Sequence, residues 1–596
     1  MAEFAPRIDD MKFVLREVVG IDRVAALPGY EDATPDLVDA VLEEAGKFGR
    51  EVLAPLNRIG DQQGSVLENG VVRTPAGFKD AYRKFVDGGW NAVQFEPEWG
   101  GQGLPWMVSN AVQEIWDAAN TSFALCPMLG QGAVEALSIH GSKAQQKMWL
   151  PKLVSGEWTG TMNLTEPQAG SDVGALRTRA VKEGDHYRIT GQKIFITYGD
   201  QDWTDNVVHL VLARTPDAPA GTRGISLFIV PKVKVKTDGA LDSRNDLRVV
   251  SLEHKLGINA SPTCVLSFGD NGGAVGYIVG EENRGMEYMF TMMNNARLNV
   301  GLLGLGTGER AYQQARDYAK ERVQGRDIAG SAQAVTIINH PDVRRMLMTM
   351  KAQTEAMRAL AYFAAYNLDL SKRHPDAAAR AEHQTLIDLL TPIVKSWCTD
   401  VGCEVTSTGV QVHGGMGFIE ETGAAQHFRD ARIHPIYEGT NGIQANDLLG
   451  RKLMRDGGAA ARAFIATMQA LDKELGAAKG DDFAAIRREL KDGLDALDQA
   501  TAWMLQTFPK DVRLAAAGAV HYLNLFGNVA AGWLMAKSAL AAAASLGRGA
   551  GNKPFYEAKL ATCRFFADLY LPRSAGLLHA IAQGGGKVMA LAEEQF

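Results

Sequence analysis

Apolar residues recur at helical spacing through the first part of the chain, at Leu37-Val38, Val41-Leu42 and Phe85-Val86, and predict amphipathic helices up to about Glu157. A turn-rich patch, Glu96-Pro97-Glu98-Trp99-Gly100-Gly101-Gln102-Gly103-Leu104-Pro105, interrupts them and reads by itself as a loop. From about Trp158 to Glu282 the pattern changes to alternation. Tyr187-Arg188-Ile189-Thr190-Gly191-Gln192-Lys193-Ile194-Phe195-Ile196-Thr197 is rich in β-branched residues, and 207–212, 225–230 and 263–268 are similar, with Gly, Pro and Asp between them. Short strands at that spacing predict a small β-barrel or sandwich, with no stretch long enough for the helical crossover of a parallel βαβ unit. Helical periodicity returns from Gly285 to about Leu449, in 311–321, 343–367 and 386–408, with a break at Ser371-Lys372-Arg373-His374-Pro375. Residues 450–596 are Ala-rich and helical, broken at Gly457-Gly458, Pro509, 547–551 and 584–586, and hold four or more helices. The predicted class is mainly α with a central β-domain, divided at 1–157, 158–283, 284–449 and 450–596.

Composition narrows the function. A length of 596 residues exceeds what one core organises, and 46% hydrophobic with 22% charged residues describes an ordinary globular protein. A net charge of -7 over that length gives no field that would draw nucleic acid. Cys126, Cys264, Cys398, Cys403 and Cys563 are scattered without a CxxC pair, which supports neither zinc nor a disulfide framework and fits a reducing cytoplasm. Met1-Ala2-Glu3-Phe4-Ala5-Pro6-Arg7 has no basic stretch leading into an apolar one, so no secretory signal is expected. The most apolar tract, 529–546, includes Lys537 and is mostly small residues, and it reads as a buried helix rather than a membrane span.

Three segments carry candidate chemistry. In Ile436-Tyr437-Glu438-Gly439-Thr440-Asn441-Gly442-Ile443-Gln444 a carboxylate stands between an aromatic residue and a Gly-Thr turn. A carboxylate in apolar surroundings is disfavoured in its charged form and moves toward the range of a general base, although an isolated Glu more often caps a helix or faces solvent. Upstream lies a Gly-rich element, Gln411-Val412-His413-Gly414-Gly415-Met416-Gly417-Phe418. The third segment, Leu164-Thr165-Glu166-Pro167-Gln168-Ala169-Gly170-Ser171-Asp172, gathers hydroxyls, a permissive glycine and acceptor carboxylates, as the polar edge of a planar ligand requires, and reads equally as a capped turn.

Taken together with Ile194-Phe195-Ile196-Thr197, these segments resemble the acyl-CoA dehydrogenases, in collinear order over about residues 35–450. The resemblance implies an N-terminal helical domain, a central β-barrel domain and a four-helix bundle, with non-covalent FAD. By position it implies that Leu164 and Thr165 meet the isoalloxazine ring and Ser171 both flavin phosphate and thioester. Phe195 stands where a Trp is usual, and Thr197 matches a hydroxyl at the ring's N5 edge. Arg322 matches an arginine reaching the FAD of a neighbouring subunit, and Gln411, Gly414 and Gly415 match a turn against the same dinucleotide. Thr440 and Gln444 also match FAD contacts. Glu438 matches the base that removes an α-proton, Gly439 follows it at the substrate, and Arg297 matches a CoA contact. Three departures stand out. Phe195 lacks an indole donor, Gln324-Gly325 is one residue shorter than the usual Gln-Phe-Gly, and Asn294 replaces an acid three residues before Arg297.

The 150 or so residues beyond Gln444 place the chain near the larger family members, in which an extra helical domain replaces a second dimer, so a homodimer is expected. Phe13-Val14-Leu15-Arg16-Glu17-Val18 and Met289-Phe290-Thr291-Met292-Met293-Asn294-Asn295-Ala296-Arg297 are similar to a bacterial subgroup of this length. That subgroup implies 3-methylmercaptopropionyl-CoA or a similar short- or medium-chain acyl-CoA as substrate, and electron-transfer flavoprotein as acceptor. A medium- to long-chain fatty acyl-CoA dehydrogenase of β-oxidation and an acyl-CoA oxidase are the alternatives. A DNA-binding relative is the remote one, because Arg451, Lys452, Arg487, Arg488 and Lys559 are interleaved with Asp472, Glu474, Asp481, Asp482 and Asp495.

Overall fold

The computed structural model describes residues 4–549 and 551–596. Met1–Glu3, part of the N-terminal stretch read above, and Ala550, inside the break at 547–551, lie outside the described residues. The chain divides into two compact units, one of Lys47–Leu104 and Ile115–Asn299, the other of the residues up to Gly46, Pro105–Glu114 and Val300–Phe596.

The first unit contains the β-domain. Its strands are β1 (Thr159–Asn163), β2 (Arg179–Glu183), β3 (His186–Thr197), β4 (Val207–Ala213), β5 (Ser226–Pro231), β6 (Leu247–Leu252), β7 (Thr263–Phe268) and β8 (Ala274–Ile278). They pair in the order β6-β7-β3-β8-β5-β4-β1, with β2 against β3. β1 runs parallel to β4, and the other pairings are antiparallel. Alternation places Tyr187, Ile189, Phe228, Val230, Leu266 and Phe268 in one apolar core. The helical reading of the first 157 residues needs one correction. Val66–Glu68 and Val71–Arg73 form a β-hairpin whose turn is Asn69-Gly70, both at positive φ (51° and 75°). Asn-Gly is the residue pair that such a two-residue turn demands.

The second unit is helical. It holds α1 (Gly285–Glu321) from Val300 onward, α2 (Pro341–Arg373), α3 (Ala377–His413) and α4 (Asn441–Asp447), then α5 (Asp481–Thr507), α6 (Val512–Gly547), α7 (Lys553–Leu569) and α8 (Arg573–Gln583). Small residues set the α1–α3 crossing. A Cβ on Gly304 would stand 2.4 Å from the Cys398 carbonyl oxygen, and one on Gly402 would stand 2.5 Å from the Gly304 carbonyl oxygen. The C-terminal helices share the core of the bundle. Phe363 of α2, Phe464 and Trp533 of α6 form an aromatic cluster, with Phe363–Trp533 centroids 5.2 Å apart. Gly527 of α6 lies so close to Trp397 of α3 that a Cβ would meet the indole at 2.4 Å.

A buried ionic cluster ties this unit's distant segments together. Arg358 bonds Asp10, Glu114 and Glu309, and Lys559 bonds Asp10 and, at 2.6 Å, Glu355, to which Arg7 and Lys351 also donate. Asp369 accepts from the Trp106 and Met107 backbone N–H groups and from the Tyr30 hydroxyl, which caps the start of helix Trp106–His140. Helices Trp106–His140 and Val512–Gly547 are long and apolar enough to cross a membrane, and 89% and 67% of their most apolar windows are buried inside the fold. The tract 529–546 is accordingly a largely buried part of α6.

Candidate active site

In the β-domain, the segment Leu164–Thr165 follows β1 and is held from β3. The Lys193 ammonium, fully buried, donates to the Leu164 carbonyl at 2.9 Å and to Glu166 Oε1 at 2.8 Å, while the Ile194 N–H donates to the Thr165 carbonyl at 3.0 Å. Glu166 Oε1 also accepts from the backbone and hydroxyl of Thr178, and its Oε2 accepts from Arg177 N–H and Gln168 Nε2. Burial alone would raise the Glu166 pKa, but the Lys193 charge and these donors outweigh it and bring the carboxyl down to about 2. Burial also lowers Lys193, and Glu166 offsets only part of this, leaving it at about 8. Both groups are therefore charged at neutral pH. The pair fixes geometry more than it adds stability.

Phe195 is two residues along the same strand. Cys264 pairs with Ile196 and Leu266 with Lys193, so Ile194 and Phe195 together oppose Val265 in a β-bulge. Phe195 takes φ 59° there and presents its ring outward, 59% exposed. An exposed aromatic ring on left-handed backbone is a platform, and the strain of a bulky residue at positive φ is about 1–3 kcal/mol. Thr197 and Thr165 are half-buried and Ser171 is exposed. Arg297 is 3% exposed with its guanidinium 5.8 Å from the Phe290 ring centre, a buried position for an expected CoA contact.

In the helical unit, Glu438 sits half-buried at φ 56° and Gly439 follows at φ 84°, a tight left-handed turn in front of α4. Thr440 caps α4, its hydroxyl accepting from Ile443 N–H at 3.2 Å. Gln444, fully buried, donates Nε2 to the carbonyls of Gly439 (3.1 Å) and Glu438 (3.4 Å), and its Oε1 is a buried acceptor without a protein donor. His434 packs beside Tyr437 with ring centres 5.9 Å apart, and burial first, then the charge of Lys395, lowers its pKa to about 3. His434 is therefore neutral. Gly414 ends α3 at φ 61° and ψ -141°, a region open to glycine alone, and a Cβ on Gly414 or Gly415 would meet nothing within 4 Å. Gln411 and Arg322 are exposed, and their helix ends adjoin where Tyr318 stacks on His413 at 4.4 Å.

The structure thus brings Leu164, Thr165, Phe195 and Thr197 together on one unit. On the other it gathers Glu438, Gly439, Thr440 and Gln444 on one turn, and Arg322, Gln411, Gly414 and Gly415 near one helix end. Lys193 and Glu166 were missed as site residues. The signal was present, because Tyr187, Ile189 and Lys193 lie at period two on one face, and the first two are apolar and buried. A lysine on the buried face of a strand needs a partner. Asn441 and Lys395, whose side chains bond at 2.8 Å, gave no such signal, since their meeting depends on how α3 and α4 pack.

Four family models match: Acyl-CoA dehydrogenase, N-terminal domain (38–157), middle domain (161–271) and C-terminal domain (283–453), and Acetyl-CoA dehydrogenase C-terminal like (459–592). The chain is 52% identical over 567 residues to 3-methylmercaptopropionyl-CoA dehydrogenase of Ruegeria pomeroyi, covering 95% of each chain. It is 36% identical to a butyryl-CoA dehydrogenase of Syntrophomonas wolfei, covering 98% of each. The fold is similar to the solved acyl-CoA dehydrogenase complexed with FAD from Bacillus anthracis, with a TM-score of 0.74 at 22% identity, over 96% of this chain and 91% of that one. By its family models over nearly the whole chain and its full-length relatives, this chain belongs to the acyl-CoA dehydrogenase family.

Proposed function

We propose that the chain converts 3-methylmercaptopropionyl-CoA, or a similar short- or medium-chain acyl-CoA, to the trans-2-enoyl-CoA, with Glu438 as the base. The observation that carries the base assignment is the turn itself. Glu438 is a non-glycine residue at φ 56°, with its carbonyl and that of Gly439 bound by a buried amide. Such a backbone persists only where its surroundings over-determine it, and strain of this kind concentrates at functional sites. The substrate assignment is supported by the 52% identical relative of that name.

As an acyl-CoA dehydrogenase the enzyme uses FAD, and the residues fit it. Phe195 offers an exposed ring, Thr165 and Thr197 offer hydroxyls, Gly414 and Gly415 leave room for a backbone approach, and Gln444 Oε1 is an unmatched buried acceptor. We assign Leu164, Thr165, Ser171, Phe195, Thr197, Arg322, Gln411, Gly414, Gly415, Thr440 and Gln444 to its binding. Bound FAD supplies the acceptor for the hydride that leaves the substrate Cβ. The chain's own residues do the rest. The Glu438 carboxylate takes the α-proton, and its main-chain N–H donates to the thioester oxygen as enolate charge develops there. Gly439 lets the acyl chain approach, and exclusion of water when the acyl chain binds strengthens both interactions. Ser171 and Arg297 are assigned to the substrate. Electron-transfer flavoprotein as acceptor, a homodimer and a cytoplasmic location complete the proposal.

A second reading, a medium- to long-chain fatty acyl-CoA dehydrogenase, is favoured by a 34% identical broad-specificity linear acyl-CoA dehydrogenase of Mycobacterium tuberculosis, covering 100% of each chain. Anaerobic titration with a panel of acyl-CoAs separates the two. Flavin bleaching with the highest kcat/KM for the methylthio substrate or a chain of similar length supports the proposal, and a preference of tenfold or more for a long unsubstituted chain supports the second reading. Hydrogen peroxide formed in air at the rate of turnover would instead indicate an oxidase.

A further inference from the structure

The side chain of Asn441, the first residue of α4, joins the Glu438 turn to α3. Asn441 is 9% exposed and uses both ends of its amide. Its Nδ2 donates to the Ser396 carbonyl (3.2 Å), the Thr399 hydroxyl (3.0 Å) and Asp400 Oδ1 (2.7 Å). Its Oδ1 accepts from the Lys395 ammonium at 2.8 Å, and Lys395 is wholly buried. The Asn441 backbone N–H donates back to the Pro435 carbonyl at 2.9 Å, which closes the loop 435–441 around Glu438. A buried ammonium must be matched by fixed acceptors, so Asn441 has little freedom to move relative to α3. The two residues between Glu438 and Asn441 form the left-handed Gly439 step and the Thr440 cap, and both are already constrained.

We infer that Asn441, locked to α3 by Lys395, is a positioning residue for the reaction, holding the Glu438 carboxylate in the orientation from which it takes the α-proton. Asn441 acts through Glu438 rather than by touching substrate. Gln444 fixes the same turn from its other side, through the carbonyls of Glu438 and Gly439. The two amides together over-determine a backbone conformation that a glutamate does not adopt unaided. Loss of the Asn441 amide frees the turn to relax toward negative φ and displaces the carboxylate. A displacement of about 1 Å is enough for a rate loss of roughly a hundredfold.

The inference rests on Glu438 being the base, and the test keeps the two apart. The rate of anaerobic flavin reduction is measured by rapid mixing at saturating acyl-CoA, using the panel member that bleaches the wild-type enzyme fastest. The variants are Asn441→Ala, Glu438→Asp, their double variant, and Glu438→Gln. Asn441→Ala is expected to reduce flavin about 10- to 100-fold more slowly, with FAD content and acyl-CoA affinity within about threefold of wild type. In the Glu438→Asp background, where the carboxylate is already misplaced, the loss from Asn441→Ala is expected to shrink by threefold or more. Equal losses in both backgrounds, an unchanged rate, or a loss that tracks released FAD would overturn the inference and leave the base assignment standing. Normal bleaching by Glu438→Gln would overturn the base assignment, and the inference with it. If Asn441→Ala does not fold, Asn441→Ser, which keeps a small polar group against Lys395, carries the same comparison.

Discussion

Lys193 holds the Leu164 carbonyl while its charge balances Glu166, so the two tasks separate on substitution. Lys193→Met leaves the Glu166 carboxylate buried without its cation, a loss of about 3–5 kcal/mol, and frees Leu164. The expected outcome is a lower thermal midpoint together with weaker FAD retention on dilution. Adding Glu166→Leu should restore much of the midpoint but not the retention, since the Leu164 carbonyl is still unheld. A double variant that retains FAD as wild type would show that Lys193 acts only on stability. At this scale the sequence was informative where chemistry is local. Glu438, Thr440 and Gln444 were recognisable from one short run, and the structure places them on one turn. Neither the bulge that turns Phe195 outward nor its φ of 59° was legible, because a bulge is a property of the pairing between β3 and β7 and not of either strand alone.

Elements were predicted well where their pattern was long. The stretches 311–321, 343–367 and 386–408 lie inside α1, α2 and α3, and the break expected at Ser371–Pro375 begins within the last turn of α2, which ends at Arg373, and runs into the link before Ala377. Residues 207–212 and 263–268 are strands β4 and β7, but β1, β2, β6 and β8 were not predicted. β1 is buried at every position and reads Thr-Gly-Thr-Met-Asn, so neither alternation nor an apolar run announces it. The helix crossings were not legible either. Gly304 and Gly402 look like ordinary interior glycines, yet each meets the other helix's backbone. Gly402→Ala is expected to force α1 and α3 apart and to destabilise by about 1–3 kcal/mol, read as a lower thermal midpoint with FAD still bound. Gly576→Ala, on the exposed face of α8 where a Cβ would meet nothing within 4 Å, is the control expected not to lower the midpoint.

Across the whole molecule, the C-terminal extension is part of the core rather than an appendage. Lys559 of α7 bonds Asp10 near the start of the chain and Glu355 of α2. Burial resists ionisation of both carboxyls, but Lys559 and the neighbouring cations outweigh it and hold them below the ordinary carboxylate range. A depressed folded pKa adds stability that is complete above the unfolded value, near 4, and is lost as the pH falls through the folded one. Lys559→Met removes the partner, so the acid unfolding transition should move to higher pH and the midpoint at pH 7 should fall. Thermal unfolding followed from pH 3 to 8 checks this, and a variant that matches wild type across the range would refute it. The division into helical, β and helical parts could be read from the sequence, whereas this closure of the chain's two ends could not, because it depends on residues more than five hundred positions apart. The proposed function rests in the end on one carboxylate, that of Glu438, held on a strained turn. The most direct measurement is anaerobic mixing of FAD-loaded Glu438→Gln with excess acyl-CoA. The account predicts that the flavin stays oxidised while ligand and FAD remain bound, and bleaching at the wild-type rate would contradict it.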